Sequence, residues 1–257
     1  MRGVRADYPL VIATNRDEFY ARATSGPLRL LEQPRTVGGR DLQAGGTWMG
    51  VSEGGVFVGV TNHRSLLEPS EPARRSRGEV VLEALARGSL AEITRYVQSL
   101  DGRKYNPFNL MWGDTSALWV AYGRSGERAL TLAEVPEGVH VLPNDQLDSP
   151  SFATVARAKQ LIEPIAQAAL PTLRAGLQAV LADRVLPPPQ DIPEPPSASR
   201  FDSPFLRELS ALCVRTPAYG TRSSTVVLLE PGRVGQFLYA DGPPDQTPFV
   251  DITPLFG

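Results

Sequence analysis

Several things are scarce in this sequence, and each scarcity excludes something. The 257 residues contain one cysteine, Cys213. A single thiol rules out an internal disulfide and points to a reducing, cytoplasmic setting. There are two histidines, His63 and His140, too sparse for the spacing of a zinc site, so no metal site is expected. Long apolar runs are missing. Thr225 to Leu229 is among the longest, far short of the roughly 20 residues that span a bilayer. No apolar segment follows Arg2 and Arg5, so no secretory signal is expected. Charge of one sign is also missing. Lys and Arg number 26 against 28 Asp and Glu, a net charge of -2, which removes any general attraction to nucleic acid.

What is present is ordinary for a globular chain: 42% hydrophobic and 21% charged residues. The length suits one large domain, expected to span residues 1–257. The most informative stretch is Leu10-Val-Ile-Ala-Thr-Asn-Arg-Asp-Glu-Phe-Tyr20. Leu10 to Thr14 reads as a short buried strand. Asn15, Arg16, Asp17 and Glu18 follow it without the Gly, Pro or Ser of an ordinary turn. Two readings stand: a structural Arg–carboxylate clasp, or a site at a strand end.

The rest of the chain alternates blocks of strands and helices. Ala21 to Pro34 reads as irregular. The five glycines between Val37 and Val51 predict connected hairpins with close backbone approach, and the run lacks the ending of a phosphate loop. Val56 to Thr61 reads as a strand followed by Asn62, His63, Arg64 and Ser65. A polar loop is expected from Pro69 to Arg77, and Ser76 with Glu79 reads as a capping box for a helix. A second helix is expected from Ser89 to Leu100. Asn106 to Asp114 leads into a strand that turns at Gly113-Asp114, with Ala117 to Tyr122 as the return strand. Arg128 to Leu132 follows a further hairpin turn, and another strand is expected from Val139 to Asp148. A long helix from Phe152 to Ala169 is expected to break at Pro164. Helices at Thr172 to Ala182 and Pro204 to Cys213 flank a Pro-rich segment. Strands at Val226 to Leu229 and Val234 to Tyr239 close the chain. Segregated blocks of this kind predict an α+β fold of antiparallel sheets covered by helices.

These motifs together resemble the NRDE family, also called the transport and Golgi organisation two family. The matching segments are Ala13-Thr-Asn-Arg-Asp-Glu-Phe-Tyr-Ala-Arg22, Gly39-Arg-Asp-Leu with Ala44-Gly-Gly-Thr-Trp48, Thr61-Asn62 with Arg64, Ser76-Arg-Gly-Glu79, Tyr105-Asn-Pro-Phe-Asn-Leu110, the Gly138 to Asp148 segment, and Tyr219-Gly-Thr-Arg-Ser-Ser-Thr225. They cover nearly the whole chain. The resemblance implies an N-terminal nucleophile hydrolase fold, a four-layer αββα sandwich of the cholylglycine-hydrolase type. It implies candidate catalytic positions at Arg16, Asp17, Asn62, Asn144 and Arg222. In that scheme Asn62 and Asn144 donate to an oxyanion. Asp17 holds a free α-amine, and Arg16 or Arg222 depresses a thiol pKa.

One departure bears on function. The resemblance implies a cysteine directly after the initiator Met, and here Arg2 stands there. Either the true start lies upstream, the expectation preferred here, or the nucleophile is absent. Cys213 is a poor substitute, because its apolar neighbours Leu212 and Val214 predict a buried thiol that packs as a small hydrophobe. The first expectation is therefore a binding protein with no required cofactor, handling haem or acyl-lipid ligands inside the cell. The alternative is an N-terminal-Cys amidohydrolase acting on C–N amide bonds. Candidate ligand-binding residues are Asn15, Glu18, Trp48, His63 and His140. A lone imidazole suffices as an axial ligand to haem iron; otherwise His63 is a hydrogen-bonded loop residue and His140 a satisfied strand residue. Arg74, Arg75 and Arg77 read as a solvated basic face. Trp48, Trp112 and Trp119 read as core or pocket wall. The unpaired first strand is a candidate for pairing with another chain.

Overall fold

A computed structural model describes the chain apart from residues 65–70, 193, 198 and 200. Ser65 and the start of the expected polar loop, Pro69 and Ser70, lie outside the described residues. Two antiparallel sheets stack face to face. One has seven strands in sequence order: β2 (Thr24–Glu32), β3 (Arg35–Asp41), β4 (Met49–Ser52), β5 (Phe57–Asn62), β6 (Phe108–Gly113), β7 (Leu118–Gly123) and β8 (Thr131–Glu134). The other joins the two ends of the chain. Its order is β1 (Leu10–Phe19), β9 (Tyr219–Glu230), β10 (Arg233–Ala240) and β11 (Val250–Asp251).

Strand alternation builds the layers. Successive side chains point to opposite faces, and β1 is apolar on both. Leu10 and Ile12 enter the core between the sheets with Val227, Leu229, Val37, Phe57 and Val120. Val11 meets Leu173, Leu177 and Leu181 of α4 (Leu170–Leu181) together with Val226 and Leu228. On the outer face of the seven-stranded sheet, Val58, Phe108 and Leu110 pack under α1 (Arg77–Leu85) and α2 (Leu90–Ser99). Trp112 lies fully buried in that outer core, its indole N–H donating to Thr94 Oγ1 at 3.1 Å. The result is the four-layer αββα sandwich, and among the described residues no helix is long and apolar enough to cross a membrane.

Local chemistry sets the helix boundaries. Ser76 caps α1 by accepting from the Gly78 N–H, and Ser89 caps α2 by accepting from the Glu92 N–H. Glu79 does not complete the expected capping box; its carboxylate pairs with Arg75 at 2.9 Å. The long helix expected from Phe152 to Ala169 is α3 (Ala153–Ile162) followed by a 3-10 turn at Glu163–Ile165, because Pro164 lacks the N–H a continuing helix needs. The separate helix expected at Thr172 to Ala182 is α4. The Pro204 helix is short, α5 (Ser203–Glu208).

Three segments differ from the sequence reading. The Ala21–Pro34 segment expected to be irregular contains β2, whose register on β3 shifts twice. Such bulges erase the regular period-2 pattern. The polar cluster Asn15–Glu18 lies inside β1 and not beyond its end. Residues 139–148 form no strand. Side chains hold that loop in place of a ladder: Asn109, fully buried, donates to Asp145 O at 2.7 Å, Pro143 O at 3.3 Å and Thr61 Oγ1 at 3.1 Å.

Candidate functional site

Because Asn15–Glu18 stays in the strand, alternation splits the cluster between two faces of β1. Asn15 turns to the helical layer. Its amide donates to Leu181 O at 2.9 Å and Leu212 O at 2.7 Å, and its Oδ1 accepts from Ser224 at 2.5 Å. Both amide hydrogens are therefore used, and Asn15 clasps β1 to the helices. A bulge follows: Arg16 is paired with Ser223 and Asp17 with Thr221, leaving Arg222 as the extra residue of β9. The bulge re-aims Arg222. Its guanidinium donates to the carbonyls of Phe19, Tyr20 and Arg22 and ties down the turn after β1.

Asp17 shares Asn15's face. Thr221 donates its hydroxyl to Asp17 Oδ1 at 2.6 Å, and Tyr219 donates to the Asp17 carbonyl at 3.3 Å. Burial pushes the Asp17 carboxyl up to about 6, with Thr221, Arg64 and Arg16 acting against it. Arg64 is the charge facing this carboxyl. Its guanidinium lies 5.0 Å over the Phe152 ring, and burial holds its pKa below the usual value, opposed by Tyr219 and Asp17. Burial and Asp17 together push the Tyr219 phenol well above its usual value.

Arg16 and Glu18 face the other sheet. The Arg16 guanidinium lies 4.2 Å over the Trp48 ring, and its side chain is 9% exposed. The nearest carboxylate is Glu18 at 3.9 Å, beyond hydrogen-bond distance. Arg22 binds Asp41 at 2.6 Å and reaches Glu18 at 3.6 Å. Burial pulls the Arg16 pKa below its usual value, with Glu18 and Asp41 opposing. Gly39 makes the stack possible. A Cβ there would lie 2.1 Å from the Trp48 ring, so the indole lies directly against this glycine.

Asn62 and Asn144 come together: Asn144 donates to the Asn62 carbonyl at 2.8 Å, and the Arg64 N–H donates to the Asn144 carbonyl at 2.7 Å. His63 lies beside them, its Nδ1 3.9 Å from Asp145. His140 sits elsewhere on the 139–148 loop. Its Nδ1 is hydrogen-bonded to Asp148 at 2.7 Å, and Lys159 binds the same carboxylate at 3.0 Å. His140 Nε2 is buried without a hydrogen-bond partner. Cys213 is buried, its Sγ 3.7 Å from Asp245, and burial pushes the thiol up to about 11. No group of three potential metal-ligating side chains occurs among the described residues.

Four residues at this site escaped the sequence reading as site residues: Arg64, Thr221, Tyr219 and Asn109. All four lie inside the quoted motifs, so the signal was present. Their roles depend on which strands become neighbours.

The two facing sheets, each roofed by helices, define the chain first as N-terminal nucleophile hydrolase-like in fold. A conjugated bile acid hydrolase of Clostridium perfringens is similar with a TM-score of 0.52 at 12% identity, covering 96% of this chain and 90% of that one. At that identity the likeness is one of fold. The family is narrower. The Transport and Golgi organisation 2 family matches residues 2–238, and this chain belongs to it. The Transport and Golgi organization protein 2 homolog of Bos taurus is 32% identical over 236 residues, 87% of this chain and 83% of that protein. The Drosophila melanogaster Transport and Golgi organization protein 2 is 29% identical over 244 residues, 87% of this chain and 82% of that protein.

Proposed function

We propose that this protein binds an anionic amphiphile, an acyl-lipid such as an acyl-CoA or haem, with the anionic group held by Arg16. One observation carries this reading. Arg16 is nearly buried, stacked on Trp48, and has no hydrogen-bond acceptor among the described residues. A largely buried guanidinium whose nearest carboxylate stands 3.9 Å away is incompletely satisfied, and a ligand phosphate or carboxylate supplies the bidentate hydrogen bonds it lacks. Acyl-CoA and haem share that anionic chemistry and differ in the rest. For haem, His140 fits as an axial ligand, since Asp148 fixes one ring nitrogen and leaves Nε2 without a partner.

The test is a pair of titrations, haem by its Soret band and a fluorescent acyl-CoA by anisotropy. Saturable binding at micromolar affinity or better is expected for at least one. Arg16→Ala should weaken binding about tenfold or more, the cost of losing a charge-assisted hydrogen bond. His140→Ala should weaken haem alone. No saturation with either ligand rejects the reading.

Asp17 favours a second reading, an N-terminal-Cys amidohydrolase. A carboxyl pushed up to about 6 beside Thr221 and Arg64 suits proton handling near neutral pH. That chemistry needs a thiolate at the carboxyl, and Cys213, raised to about 11, is not one. The assay is acyl-amide hydrolysis by a chain extended through the codons directly upstream of Met1. Hydrolysis that disappears on replacing an upstream Cys by Ala supports this reading; no in-frame Met-Cys, or no hydrolysis, rejects it.

A further inference from the structure

We infer that the end of the molecule carrying Phe19, Tyr20 and Leu42 docks on an anionic lipid surface. Five large apolar side chains stand exposed among the described residues: Phe19 at 58%, Tyr20 at 37%, Leu42 at 59%, Val185 at 56% and Val250 at 55%. Four of them gather at one end. The Leu42 N–H donates to Ala23 O at 3.0 Å and Arg22 binds Asp41 at 2.6 Å, which brings the turn after β3 against the turn after β1. Tyr20 shares a surface cleft of about 480 Å³ with Arg184, Arg215, Thr216 and Pro217, and Val185 follows Arg184 directly. Apolar tips of this size cost free energy in water, and their grouping marks an interaction surface.

Charge selects the occupant. Arg184 is 48% exposed, with its nearest carboxylate, Asp245, at 3.9 Å. Arg215 shares the same carboxylate at 3.0 Å. Two guanidiniums thus face one acid in the cleft, and Arg40 is exposed beside Leu42. Apolar tips interleaved with arginines match the acyl boundary and the phosphates of an anionic leaflet.

The experiment is flotation of the full chain with vesicles of phosphatidylcholine alone and of equimolar phosphatidylcholine and phosphatidylserine. Binding is expected to the mixed vesicles and to weaken as salt rises. Phe19→Ser and Leu42→Ser should each lower partitioning about tenfold, the effect of one inserted apolar side chain. Arg184→Ala should lower it about fivefold, the effect of one arginine near the surface. Val250→Ser, on the far edge strand, should bind as wild type. The inference is overturned if neither vesicle binds, if the Phe19 and Leu42 variants bind unchanged, or if Val250→Ser loses as much as they do. In those cases the patch is left to a protein partner. Phosphatidylserine is itself an anionic acyl-lipid, so the surface variants separate this inference from the Arg16 reading: Phe19→Ser and Leu42→Ser should lower flotation and leave the vesicle-free acyl-CoA and haem titrations unchanged.

Discussion

Asp17 couples the site to pH. Its folded-state pKa of about 6 lies above the unperturbed 3.8 because burial disfavours the carboxylate. Between those values the folded chain holds the proton and the unfolded chain has released it. The contribution is therefore fully present below about pH 4 and is lost as pH rises through about 6, on the order of 3 kcal/mol in all. Denaturant titrations across that window should show stability falling with rising pH at this step. Asp17→Asn keeps an acceptor for Thr221 and should flatten the slope; an unchanged slope would assign the effect to another group. Gly39 offers a second test. Gly39→Ala drives a methyl into the Trp48 ring, and overpacking of this kind costs about 1–3 kcal/mol. Displacing the indole should red-shift tryptophan emission and weaken ligand binding in step with Arg16→Ala. Retained binding at wild-type affinity would detach the stack from the site.

At the scale of elements, the 139–148 loop depends on one amide. Asn109 donates to two of its carbonyls and accepts from Arg124 at 2.9 Å. Asn109→Leu removes the shortest acceptor of Arg124, which keeps the Phe108 and Gly123 carbonyls at 3.3 Å, and takes the Asn109 donor from the Asp145 carbonyl, a cost of about 1–3 kcal/mol. Hydrogen exchange should accelerate across residues 139–148, whose Asn144 backs Arg64, while α1 and α2 keep their protection. Uniform acceleration would show a global effect and not a loop latch. The α1 cap is a smaller element-scale test: Ser76→Ala should cost about 1 kcal/mol, read as a shift in thermal midpoint.

Across the whole molecule, the two sheets differ in how far apart their partners lie. The seven-stranded sheet is a sequence-ordered series, whereas β1 pairs Leu10 with Leu229. The core facing α4 therefore requires both ends of the chain. Leu177, 1% exposed, packs there with Val11 and Leu228. Leu177→Ala should cost about 2–5 kcal/mol. Guanidinium unfolding followed by tryptophan fluorescence, whose three reporters Trp48, Trp112 and Trp119 all lie on or beside the seven-stranded sheet, and by far-UV circular dichroism should shift together if the layers unfold as one unit; a split transition would separate the two sheets.

Much of this was written in local chemistry. Apolar runs such as Val226–Leu229, glycine turns, Ser caps and the Pro164 break act over a few residues, so most of the strands and the starts of α1 and α2 follow from sequence, while β2, the strandless 139–148 loop and the short α5 do not. The family motifs likewise named Asp17, Arg16, Asn62 and Asn144. What they do is another matter. Alternation inside an unexpectedly long β1 sends Asn15 and Asp17 to one face and Arg16 and Glu18 to the other. A bulge of one residue turns Arg222 onto backbone carbonyls, and Asn109, far from both in sequence, holds the loop that backs Arg64. Strand length, bulges and long-range pairing are set by packing energies that no short window contains. The four polar residues therefore read as one cluster in sequence, and the assembled sheets made them two.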